Sequence, residues 1–226
     1  MTLPDYFVWT RYGTESGEAA ESILSRKERE RQAADGLFLW GVGNSVAPSV
    51  RKLLAHLRGR DPEVVFSPML AAPRAIDVSP AEVVAWRSAR GIDDRDWEMP
   101  EGTLVTSRTG PGGARKARHY ALVCRRSEAL RADDAGERFA IDDLANFASG
   151  NRVGHSQVTS VVHRKGRSAD GPYVAAVVAT LAYPYVVELT EPVALEVMRL
   201  PTVRSEPARR PRCWSRATRS TRVFWN

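Results

Sequence analysis

Leu37-Phe38-Leu39-Trp40-Gly41-Val42-Gly43-Asn44-Ser45-Val46 is the stretch whose reading decides the fold. Six residues, 37–42, form an apolar run of strand length. Gly41, Gly43 and Asn44 then interrupt it. From 46 to 58 the apolar residues return at helical spacing, with Val46, Val50, Leu53, Leu54 and Leu57 on one stripe and Gly59 as the stop. A buried strand therefore delivers an indole, Trp40, into a tight turn that opens an amphipathic helix. Two readings of that turn stay open. Trp40 is either a core residue or a pocket wall, and Asn44 or Ser45 is either the cap of the helix or a polar group held out to a ligand.

Outward from this unit, residues 5–10 are aromatic and β-branched and predict a first strand, and 16–34 predict an exposed helix ending near Gly36. Residues 63–69 predict a strand. Ser79-Pro80-Ala81-Glu82 has the marks of a helix start, with a capping Ser, Pro in the first turn and Glu three after the cap. Residues 103–108 and 119–125 predict a hairpin around a Gly-rich loop that carries Arg115 and Lys116. Residues 141–148 predict a short helix, 158–162 a strand, and 173–181 and 185–189 two further strands. This order is not a regular strand-helix alternation, so an α+β sheet or small barrel is expected rather than a doubly wound fold. Residues 1–198 are expected to form one domain.

The net charge of +6 is unevenly placed. Residues 199–226 hold eight arginines and one acid, Glu206, and three prolines follow Leu200. This tail is expected to be flexible. The body, 1–198, is close to neutral, so the high pI is no argument for nucleic acid. Only four basic residues are lysine. Arginine suits phosphate forks and base edges, although an arginine-favouring codon usage is the plainer explanation. No apolar run approaches 20 residues and no secretory signal is recognisable, so a cytoplasmic chain with no membrane partner, its nucleoid association open, is expected. Cys124 and Cys213, the only cysteines, then read as free thiols.

Enzyme signatures are missing. There is no HExxH, no CxxC and no paired-His spacing, so no metal or other cofactor is expected. There is no Gly-x-Ser-x-Gly elbow. Gly41-x-Gly43 lacks the third glycine of a dinucleotide turn. The loop at Gly110-Pro111-Gly112-Gly113 lacks the Lys-Ser/Thr of a phosphate loop.

Trp40 after an apolar strand, then small residues, Asn44, a helix and a strand ending Val65-Phe66-Ser67, resembles the core of YTH and EVE domains of the PUA-like superfamily. The resemblance covers residues 5–75. It implies a small curved sheet or barrel flanked by helices, and a pocket in which Trp40 forms one wall of a cage around a modified base. Gly41, Asn44 and Ser45 would meet the base edge beside Ser67. Trp97 is a candidate second wall, with Trp86, Trp9 and Tyr120 as others. Two polar regions could grip the nucleic-acid backbone. One holds Arg108, Arg115, Lys116 and Arg118, and the other holds Asn151, Arg152 and Gln157. Either could instead be a solvated turn. The expectation is a non-enzymatic reader of a modified base in DNA, 5-methylcytosine first. RNA recognition, an enzyme acting on a nucleotide or small ligand in the same pocket, and a protein-interaction module are the alternatives. A perturbed carboxylate or histidine beside Trp40 would favour the enzyme.

Overall fold

The computed structural model describes residues 2–13, 19–69, 78–82, 86–89, 92–93, 95–97, 104–109, 115–117, 120–132 and 136–189. Its elements, in chain order, are β1 (Tyr6–Tyr12), α1 (Ala20–Ala33), β2 (Leu37–Val42), α2 (Val46–Leu57), β3 (Glu63–Pro68), β4 (Val78–Glu82), β5 (Trp86–Ser88), β6 (Asp96–Trp97), β7 (Leu104–Thr109), β8 (Arg115–Ala117), β9 (Tyr120–Arg125), β10 (Arg138–Phe139), β11 (Leu144–Asn146), β12 (Thr159–Arg164), β13 (Tyr173–Val174) and β14 (Val177–Leu189). The architecture is α+β: a nine-stranded mixed sheet, two helices and two small sheets. The tail from 199 lies outside the described residues.

The large sheet runs β11-β12-β1-β3-β14, and β14 then carries β9 along one flank, with β2 beyond it. The other flank of β14 is shared. Its first residues pair with β3 and its last with β5. β1 and β3 are parallel, joined by the crossover through α1, β2 and α2, whereas the neighbouring pairs are antiparallel. Alternation along β1 serves two cores. Val8 and Tyr12 face an inner core with Phe38, Val50, Leu53, Phe66 and Leu122. Phe7 and Trp9 face an outer core with Val65, Phe139, Leu144, Val162 and Tyr173. Trp9 meets Phe139 and Tyr173 edge-to-face at 5.9 and 5.4 Å. A third cluster, Leu39, Ala121, Val123 and Val187, lies on the far side of β2 and β9 from the inner core.

The sheet is not a closed barrel, which corrects the barrel half of the expectation. The edge at β2 is occupied from the side by a helix. Glu30 of α1 accepts the Leu39 N–H at 2.7 Å, and the Lys27 ammonium donates to the Leu39 carbonyl. Lys27 and Glu30 also pair with each other at 2.6 Å, both buried. Burial pushes the Lys27 pKa down and the Glu30 pKa up, while the charge of each offsets part of the other's shift. Two helical side chains thus stand where a further strand would bond, which is one way a sheet edge is protected. The exposed helix expected over 16–34 is corrected accordingly: Arg26, Lys27 and Glu30 are buried. A polar helix can be buried when its charges meet backbone groups rather than apolar side chains.

Three other expectations are corrected. The helix expected from Ser79 is instead strand β4, paired with β7. Its Pro80 is tolerated because β4 is an edge strand of the β4-β7-β8 sheet. The expected hairpin partners part company: β7 pairs with β8 and β4, while β9 pairs with β2 and β14. The central residues of β9 are all buried, so it needs a neighbour on each flank, and a polar hairpin offers only one. The expected 141–148 helix is one 3-10 turn at Ile141–Asp143 followed by β11, which pairs with β12. So short a run gains little from helix nucleation when a strand partner is available.

Candidate functional site

Trp40 sits on β2 opposite Leu122, facing the inner core. Its indole is half-buried rather than sealed. The ring is fixed at two points. Its N–H donates to Thr10 Oγ1 at 3.0 Å, and Phe66 meets it edge-to-face at 4.8 Å. Thr10 is fully buried and shares a second hydrogen bond, 2.9 Å, with Thr159. The indole is therefore oriented before any ligand arrives.

The turn that follows is open. Gly43 accepts the Val46 N–H at 3.2 Å, and Asn44 and Ser45 are exposed. Ser45 occupies the N-cap position of α2, yet its side chain makes no capping bond. Among the described residues, the Asn44 amide and the Ser45 hydroxyl engage no partner. Gly41 is half-buried and pairs with Ala121.

The structure separates two of the expected pocket residues from Trp40. Ser67 is fully buried and accepts the Trp9 indole N–H at 3.2 Å, on the outer-core side. Trp97 packs against the Leu39 cluster, and Leu39 adjoins Trp40 and so faces the other way. Both are corrections of the expected pocket, and both follow from strand parity.

The segment that leads from the second polar region into β12 is tied to β1 on both faces: Thr159 meets Thr10 on the Trp40 side, whereas His155 and Gln157 are held by Arg11 on the Trp9 side. Arg11, next to Thr10 and only 7% exposed, donates to the His155 carbonyl at 2.8 Å and also to the Gln157 carbonyl. Its own amide donates to the Val158 carbonyl at 2.8 Å, and its guanidinium lies 5.3 Å from the Trp9 ring centroid. The stretch 155–159 is thus tied to β1 at Thr10 and Arg11, leaving the Gln157 side chain exposed. Asn151 and Arg152 are exposed too, with Arg152 3.7 Å from Asp142. In the small sheet Arg108 is the register partner of Lys116, and Arg115 of Thr109. β7 comes alongside β2. Arg118 lies outside the described residues.

Compared with protein-family models, curated proteins and solved structures, the chain matches none. Sequence reasoning had passed over Thr10, Arg11 and Thr159. The available signal was a Thr-Arg pair inside an otherwise apolar strand; of the two, Thr10 is the one that reaches Trp40, through its hydrogen bond to the indole, while Arg11 lies on the Trp9 face. Among the described residues, no group of three or more His, Cys, Asp or Glu is placed to hold a metal. No helix there is long and apolar enough to cross a membrane.

On the opposite face of the sheet lies a cavity of about 760 Å3 lined by residues of α1, β3, β9 and β14. Glu63 of β3 stands in it half-buried, and burial pushes its carboxyl pKa up. The ionised form is penalised in the folded state, so this penalty is absent below the ordinary carboxyl pKa and complete above the raised one. Glu63→Gln is accordingly expected to raise the melting temperature by about 1–3 °C at pH 7. The gain should vanish at pH 3.5, with thermal scans at both values as the check. A gain independent of pH would mean that the carboxylate is not the cause.

Proposed function

We propose that the chain is a non-enzymatic PUA-like reader of nucleic acid that stacks a modified base, 5-methylcytosine in DNA first, against Trp40. The observation that carries this reading is the indole held at its N–H by Thr10, with Asn44 and Ser45 unengaged in the exposed turn beyond it. A base leaving a duplex forfeits a few kcal/mol of pairing and stacking. An aromatic wall returns roughly 1–3 kcal/mol of that. The Asn44 amide, both donor and acceptor, suits the hydrogen-bonding edge of the base. Arg108 and Lys116, opposed in register on a hairpin that approaches β2, supply cations for phosphates.

The methyl group itself adds little. One buried carbon contributes about 0.8 kcal/mol, so methylated over unmethylated sites should be preferred about fourfold. Mobility shifts with matched 5-methylcytosine and cytosine duplexes, and with RNA of the same sequence, test the reading. Trp40→Ala is expected to abolish the preference and weaken binding about tenfold. Asn44→Ala, at an exposed position, should reduce the preference without touching the fold. An unchanged preference in both variants would remove this turn from the site, and tighter binding of the RNA would reassign the substrate.

A further inference from the structure

The cavity on the outer face holds ionisable groups of both signs that have no partner among the described residues: the carboxylates of Glu63 and Asp35 and the guanidinium of Arg125. Thr180 of β14 is the register partner of Glu63 on one flank and of Arg125 on the other. Residues directly opposed in antiparallel strands project to the same face, so carboxyl, hydroxyl and guanidinium form one row across three strands. Among the described residues none of the three side chains has a hydrogen-bond or ion-pair partner.

The surrounding cations are already engaged. Arg31 grips Glu28 through two bonds, 2.9 and 2.8 Å, and donates to the carbonyls of Arg126 and Ser127. That fork holds the Glu28 carboxyl down at a pKa of about 2. Arg126 donates to the Val178 carbonyl at 2.9 Å and to Glu128. These contacts build the wall and leave Arg125, Glu63 and Asp35 unpartnered among the described residues, and of the two carboxylates only Glu63 stands in the row with Thr180 and Arg125. Around the cavity three arginines face Asp35, Glu63 and Glu128, so neither a polyanion nor a polycation is favoured.

We propose that this cavity binds a small zwitterion, its carboxylate on Arg125 and its ammonium on Glu63. Two strand spacings put the Glu63 and Arg125 backbones about 9.5 Å apart. A ligand that bridges the row therefore carries one charge at each end, each met by a charge-assisted hydrogen bond. A dipeptide or an ω-amino acid has that form, with its ammonium and carboxylate at opposite ends of a short chain. The site lies across the sheet from Trp40, because Leu37, the register partner of Arg125, is three residues from Trp40 and so of opposite parity. It stands independently of the nucleic-acid reading.

Calorimetric titration of the full chain with glycylglycine and with 4-aminobutyrate tests the proposal. N-acetyl-glycylglycine and glycylglycine amide each lack one charge. Both zwitterions should bind saturably, and each blocked dipeptide at least tenfold more weakly. Glu63→Gln should erase the discrimination against the acetylated form only, and Arg125→Gln that against the amide only. Because Glu63→Gln is expected to stabilise the fold at pH 7, its loss of binding cannot be ascribed to unfolding. No saturable binding of either zwitterion at millimolar concentration, or equal binding of zwitterion and blocked forms, would overturn the proposal.

Discussion

Glu30→Ala is expected to destabilise the protein by about 3–5 kcal/mol, the cost of removing one partner from a buried ion pair. The substitution leaves the buried Lys27 ammonium without its carboxylate and the Leu39 N–H without its acceptor. Each loss carries a desolvation penalty that no solvent reaches to relieve. Against a typical total of about 5–15 kcal/mol, this single change would consume much of the stability. In urea denaturation followed by circular dichroism the midpoint should fall while the slope stays constant. Lys27→Met in the same background should then cost much less than it does alone, because the stranded charge is already gone. A penalty below about 1 kcal/mol for Glu30→Ala would show that water reaches the pair and that the edge needs no cap.

Arg11→Leu should cost about 2–3 kcal/mol and loosen the segment it ties down. One guanidinium serves two carbonyls, those of His155 and Gln157; hydrogen bonds of charged groups contribute about 1.5–3 kcal/mol each net, and the loss is partly offset because leucine also removes the buried, unpartnered Arg11 Nε. Arg11→Lys keeps the charge and loses the fork, so it should recover only part of the deficit. Hydrogen exchange over 154–158 is expected to quicken at least tenfold in the leucine variant, with the α2 amides unaffected. If base binding uses the exposed Gln157 side chain, affinity should fall with the same ordering: wild type, lysine, leucine. Uniform acceleration across the whole chain would instead mark Arg11 as a general stability residue with no special hold on this segment.

The order strand, helix, strand, helix, strand over the first 68 residues was readable because each element there carries its own period. Leu37 to Val42 is apolar throughout, and Val46, Val50 and Leu53 recur at helical spacing. What could not be read is pairing. β9 looked like the partner of β7 because the two are neighbours in sequence, yet the buried run at its centre demanded two flanks. Ser79 to Glu82 carries helix-start residues that act over one turn, and pairing with β7 outweighs them. The site suffered the same limit. Ser67 and Trp97 were grouped with Trp40 by proximity in a motif or by residue type, and a difference of one residue in parity sends each to the other face. The buried charges of α1 look in the sequence like those of any solvated helix. Only the free edge beside them explains their burial.

That arrangement at β2 also bears on assembly. A sheet rim with bare amide and carbonyl groups invites the next copy of the chain to add its own strand, and the addition can repeat into fibrils. By filling the positions beside Leu39 from within, α1 denies such growth a template at that rim. Among the described strands, the rims left for strand addition are then β11 and β6 of the large sheet and the outer strands of the two small sheets.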